Sequence, residues 1–248
     1  MRIAIILLFL IAGLPAQADA IAIIGTGNVG GALVFLGGAS TGAEDYSDLL
    51  EEAIETIDWQ FEQEWAFTET SLNEELLFVA RFDPGLEEDE QWSLISVDGR
   101  EPTDRQQRDF RHDKEEHRGN SNDGFDQLSA SVESDTLELI EETDAHWLFS
   151  FVPDMDQEEL VDGVDATIKI MKDGRYVESL EIRNNEDIKP GWGTKITQFL
   201  TRLTFGPAVD DGPIVPKTIN VRVTGRALLF IGFDEKEAIK YSDFEHVQ

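Results

Sequence analysis

The stretch Ala166-Thr-Ile-Lys-Ile-Met-Lys-Asp-Gly-Arg-Tyr-Val-Glu-Ser-Leu-Glu-Ile-Arg183 decides the fold. Ile168 and Ile170 alternate with Thr167 and Lys169, and the alternation resumes beyond Asp173-Gly174. A period of two sends alternate side chains to opposite faces of a strand. Asp-Gly between two such runs suits a type I′ turn, whose twist matches an antiparallel pair. The stretch therefore predicts a hairpin of strands 166–172 and 175–183.

Outward from this hairpin the same period recurs from Trp65 to near the end of the chain. Strands are expected at 64–70, 75–82, 91–97, 136–141, 146–152, 166–172, 175–183, 194–205, 217–224, 226–233 and 238–244. Asp83-Pro84-Gly85, Asp98-Gly99 and Asp211-Gly212-Pro213 supply turn chemistry between several of them. Short connections between sequential strands imply an antiparallel meander. Two helices are expected. In Tyr46–Phe61, Leu50, Ile54, Ile57 and Phe61 fall on one stripe, with Ser47 as the expected cap. Thr103 to Arg118 opens with the capping-box pattern Thr103-x-x-Gln106 after Pro102. The fold class is thus mainly β (α+β), a curved antiparallel sheet or half-barrel of about eleven strands with two or three covering helices.

The strands differ in how many faces they make apolar. Ile219, Val221 and Val223 face one way while Asn220, Arg222 and Thr224 face the other. Leu76–Ala80, Trp147–Val152 and Ala227–Ile231 are apolar on both faces. An antiparallel sheet ordinarily keeps one face wet. Each large apolar side chain left in water forfeits about 1.5–3 kcal/mol, so a second greasy face needs a cover. Trp65, Phe67, Phe78, Trp92, Trp147, Phe149, Phe151 and Phe199 are the candidate lining of such a surface. A lipid or another hydrophobic ligand is the expected partner.

The N-terminal residues read differently. Arg2, the apolar run Ile3–Leu14, Pro15 and the small-x-small patterns Ala16-Gln17-Ala18 and Ala18-Asp19-Ala20 read as a secretory signal over residues 1–20. Residues 21–43 form a Gly-rich apolar spacer, with a membrane segment over 20–43 as the competing reading, supported by Gly27-x-x-x-Gly31. Residues 44–248 form the acidic β-rich domain. The expected location is periplasmic or secreted.

Gly25-x-Gly27-x-x-Gly30 follows an apolar tetrad and taken alone resembles the dinucleotide fingerprint of Rossmann-fold reductases. On that alternative Gly25, Gly27 and Gly30 would bind a nicotinamide cofactor. The context opposes it: Gly37-Gly38 interrupts the helix, and no second strand follows before the acidic helix at 46–61. The leading reading is non-enzymatic and needs no cofactor.

Charge narrows the partners further. The chain of 248 residues carries 51 acidic and 20 basic side chains, for a net charge of −31. Such a field repels nucleic acid, so no nucleic-acid partner is expected. There is no Cys, which excludes disulfides, Cys-ligated metals and a Cys nucleophile. His112 and His117 stand five apart, diverging by about 140° on a helix, so they do not share a metal as an i, i+4 pair does. The acidic run Asp154 to Asp165 misses the EF-hand spacing and reads as solvated surface. Arg105, Arg108 and His112 share a helix face suited to anionic groups, but Asp104, Asp109 and Asp113 beside them favour pairing within the helix.

A signal sequence, an N-terminal amphipathic helix, a long antiparallel meander and an inserted helix together resemble the LolA-like half-barrels, a superfamily of periplasmic lipoprotein carriers and lipid-binding relatives. The resemblance spans about residues 44–248 and rests on element order and patterning. It implies a curved sheet around a greasy cavity under a helical lid. No motif carries a functional residue across.

Overall fold

The computed structural model describes residues 46–73, 76–116, 132, 134–153, 163–191, 193–227 and 231–247. The expected signal over residues 1–20, the glycine pattern with Gly25, Gly27 and Gly30, and most of the acidic run beginning at Asp154 lie outside the described residues.

The protein is mainly β, with eleven antiparallel strands in one curved, unclosed sheet and two helices among the described residues. The strands are β1 (Trp65–Asn73), β2 (Leu76–Phe82), β3 (Trp92–Val97), β4 (Glu138–Glu142), β5 (His146–Phe151), β6 (Val164–Met171), β7 (Val177–Asn184), β8 (Ile188–Gly191), β9 (Thr194–Pro207), β10 (Ile214–Ala227) and β11 (Ile231–His246). The helices are α1 (Ser47–Glu55) and α2 (Asp104–Glu116). The sheet order is β3-β2-β1-β11-β10-β9-β7-β6-β5-β4, with β8 pairing β9 to one side. Two runs of the expected meander are thus joined where β11 pairs with β1, and β3 and β4 form opposite edges of the path.

Register shows why this sheet needs cover on one face. Opposed residues share a face. Phe149↔Ile168, Ile168↔Leu180, Leu180↔Leu203, Leu203↔Ile219 and Ile219↔Ile239 run across six strands as one apolar row. The opposite face carries Thr167, Glu181, Arg202 and Asn220 in the same manner. The expected division of β10 into Ile219, Val221, Val223 and Asn220, Arg222, Thr224 is therefore present.

α1 covers one end of the apolar face. Leu50, Ala53 and Ile54 are buried and join Phe149, Phe151, Ile168, Leu180, Phe199 and Val223 in the main core. All four residues of the expected stripe are buried, but they do not form one helix face. The helix stops at Glu55 rather than running to Phe61. The Thr56 hydroxyl donates to the Ala53 carbonyl, and the Asp58 carboxylate accepts the Gln60 N–H at 2.9 Å, which turns the chain. Ile57 then bridges to Ile214, while Phe61 enters a separate cluster with Trp65, Phe67, Phe82, Val215 and Phe244. Ser47 is the first residue of α1 rather than its cap. The capping box of α2 forms: Thr103 N–H donates to Gln106 Oε1 at 2.9 Å, and Gln106 N–H to Thr103 Oγ1 at 3.3 Å.

Three local expectations require correction. The type I′ turn forms at Asp98-Gly99, where φ is 52° and 70°, not at Asp173-Gly174, where positive φ falls on Gly174 and Arg175. There Met171 N–H bonds the Tyr176 carbonyl around a longer loop. Of the strands expected at 226–233 and 238–244, residues 226–227 end β10, while 231–233 and 238–244 fall in the single β11, because Asp234 and Glu235 interrupt the apolar pattern but still pair with Thr224 and Val223. β8 was not foreseen; four residues containing Pro190 are too short to show a period, and their place beside the main path tolerates proline.

The two path edges are blunted alike. Register shifts leave Ile95 in β3 and Ile140 in β4 as extra residues, and both are more than half exposed. Such bulges interrupt the ladder that a stray strand would extend.

Candidate functional site

The candidate site lies where β1, β2, β3 and β11 meet α2. Strand alternation places Phe67 and Glu69 of β1 on the apolar face, opposite Phe82 and Ala80 of β2. Ala80 and Phe82 in turn face Leu94 and Trp92 of β3, and Phe78 faces Val97. Tyr241 of β11 lies directly opposite Glu69. A carboxylate thus occupies an apolar-parity position, and Glu69 is only 5% exposed.

Lys114 of α2 is its counterion. Its Nζ donates to Glu69 Oε1 at 2.8 Å and Oε2 at 2.7 Å. The same ammonium stands 4.1 Å from the centroid of the Trp92 ring and 5.5 Å from that of Phe110. Phe110 and Lys114 are four apart, so one helical face presents both to the sheet. Trp92 also meets Phe67, Phe82 and Phe110 with ring centroids 5.7, 5.0 and 6.0 Å away. The result is an ammonium held by a carboxylate and two aromatic faces, an arrangement that stabilises a cation by ion pairing and by the ring quadrupole. Beside it a small, shallow cleft, open to solvent, is lined by Glu88, Asp89, Trp92, Arg111, Lys114 and Glu115.

Tyr241 completes the surroundings. Its ring packs on Phe61 and Phe67 at 6.0 and 5.4 Å. Burial, with the negative charges of Glu69, Glu62 and Glu237 nearby, pushes its phenol well above the ordinary value of 10.0. It is therefore a neutral phenol at any physiological pH.

The eight candidate lining residues share the apolar face but divide between its ends. Trp147, Phe149, Phe151 and Phe199 belong with the α1 core, while Trp65, Phe67, Phe78 and Trp92 belong with the clusters toward α2. Trp65, Phe67, Phe149, Phe151 and Phe199 are buried, and Phe149 is wholly enclosed. Phe78, Trp92 and Trp147 keep part of their surface exposed. On the opposite face of β2, Leu77 is exposed and Val79 half-buried, so the expected second apolar face there is only partly covered among the described residues.

Glu69, Lys114, Phe110 and Tyr241 escaped the sequence reading. The available signals were an acid at apolar parity two residues after Phe67, and a lysine one helical turn after the sole aromatic residue of α2. Arg105 pairs with Asp109 at 3.4 Å on the exposed side of α2, as expected from their i, i+4 spacing. Among the described residues no group of three or more His, Asp or Glu is placed to hold a metal ion, and no helix is long and apolar enough to cross a membrane. His117 and residues 20–43 lie outside the described residues.

No protein-family model, curated protein or solved structure matches this chain.

Proposed function

We propose that this is an exported, non-enzymatic binding protein that takes up a lipid or other hydrophobic ligand on the sheet face beneath α2. Residues 1–20 serve as its cleaved signal and 21–43 as a spacer, and kinship with the LolA-like carriers belongs to the same proposal. The observation that carries the reading is the unequal character of the two covers. α1 contributes Leu50, Ala53 and Ile54 to a continuous core. α2 has the sequence DRQQRDFRHDKEE, with Phe110 as its one large apolar residue. Beneath it lie Phe78, Ala80, Trp92, Leu94 and Val97, a surface far greasier than its cover.

A helix that offers the sheet a single large apolar side chain is weakly docked, because most helical stability comes from a packed apolar face. Segments that open for ligands are drawn from such low-stability regions. Lifting α2 exposes the β1–β3 face without disturbing the α1 core. Of the eight lining candidates, Phe78 and Trp92 are therefore the ligand contacts, with Phe67 behind them. Trp147, Phe149, Phe151 and Phe199 support the fold.

Native mass spectrometry of the protein purified from a cell envelope, followed by lipid extraction, tests this reading. The expected result is a co-purifying apolar adduct that is lost in a Phe78→Ser/Trp92→Ser variant with the wild-type circular dichroism spectrum. Absence of any adduct, together with failure of the wild type to bind added lysolipid, contradicts it.

A further inference from the structure

We propose that the cage around Lys114 Nζ is a recognition site for an organic ammonium head group, and that Lys114 is an internal occupant which the incoming cation displaces. The inference rests on the reading of α2 as a removable cover and names the ligand class. The lysine itself displays the required geometry: both Glu69 oxygens lie within 2.8 Å of its ammonium, and Trp92 presents its face at 4.1 Å. A carboxylate beside an aromatic face is the chemistry that holds alkylammonium groups.

The cage divides between sheet and helix in a way that decides the sign of the ligand. Glu69 and Trp92 belong to β1 and β3. Both cations that line the cleft, Arg111 and Lys114, belong to α2 and leave with it, whereas the acidic Glu88 and Asp89 precede β3. An anionic head group would then face a buried carboxylate, but an ammonium would replace the lost lysine. The net charge of −31 also draws cations toward the protein and repels anions. Phe78, Ala80, Leu94 and Val97 continue from Trp92 and suit an alkyl chain. The ligand is thus an amphiphile with an ammonium head and an apolar tail.

Calorimetric titration of the full chain with dodecyltrimethylammonium and with dodecyl sulfate, each below its micelle concentration and at about 0.15 M salt to screen surface charge, tests this. Lys114→Ala removes the tethered competitor and should bind the cation at least about tenfold tighter than wild type, since a tethered group competes at high effective concentration. Glu69→Gln should lose at least about tenfold, as a buried charge-assisted partner is removed. Equal cation binding by Lys114→Ala and Glu69→Gln would reveal general charge attraction and overturn the inference. Dodecyl sulfate binding as tightly as the cation overturns it too, while leaving the apolar-ligand reading intact. Binding of neither amphiphile removes both. Should Lys114→Ala fail to fold, Lys114→Met, which keeps most of the stem, carries the same comparison.

Discussion

Removing either partner of the Glu69–Lys114 pair should loosen α2 far more than removing both. Glu69 is 6% exposed in its side chain and Lys114 21%, so each charge depends on the other for solvation. Breaking a buried pair from one side costs about 3–5 kcal/mol, and the partial exposure of Lys114 argues for about 3. Glu69→Gln leaves an ammonium facing a neutral amide, with the Trp92 and Phe110 rings in place of a counterion. Lys114→Met leaves a carboxylate beneath an apolar stem. The double variant places Met against Gln, with no buried charge, and should lie within about 1 kcal/mol of wild type. The cycle thus predicts a coupling of about 5 kcal/mol. Because α2 can detach while the α1 core stays closed, the loss appears first as faster amide hydrogen exchange over Asp104–Glu116, and the urea midpoint moves less. Single-variant effects that add in the double variant would refute this. So would unchanged exchange of α2 in Glu69→Gln.

Three further outcomes follow from other parts of the sheet. A Cβ at Gly225 would stand 2.4 Å from the Lys195 carbonyl oxygen and 2.5 Å from the Phe233 ring, so Gly225→Ala should cost about 3 kcal/mol, the upper range of overpacking, measured by urea unfolding. Tyr241 has its folded pKa raised above its unfolded value, so its contribution is complete below pH 10.0 and is lost as pH rises through the folded value. Against Tyr241→Phe, wild type should therefore lose up to about 1.4 kcal/mol per pH unit between pH 10.0 and the folded value in paired urea midpoints. The net charge of −31 opposes compaction, so the thermal midpoint should rise when NaCl goes from about 0.01 to 0.5 M, and a flat response would show that the acids are locally neutralised.

Fold class was legible because a period of two is imposed by backbone geometry alone. It placed strands at β1–β7 and β9–β10 within a few residues, and the Thr103–Gln106 box marked the start of α2. Boundaries failed where local chemistry overrode the pattern. The stripe from Leu50 to Phe61 suggested one helix, but the Asp58 turn divided it between two apolar clusters. Asp234 and Glu235 hid β11, since ladder pairing does not require apolar side chains. The pairing of β11 with β1 joins the first and last of the described strands, and no local signal reports it. The same gap concealed the candidate site. Glu69 and Lys114 are 45 residues apart, and only the docking of α2 brings a carboxylate and an ammonium together over Trp92. The aromatic candidates were visible as residues; their division into an α1 core and an α2-covered end depended on sheet order.

Hydrogen exchange of the wild-type chain, with and without a saturating alkylammonium amphiphile, tests the central claim most directly. The account predicts faster exchange in Asp104–Glu116 as α2 lifts and slower exchange in Leu76–Phe82 and Trp92–Val97 as the ligand covers that face. Protection confined to α1 and β5–β10, or no change in either segment, would contradict it.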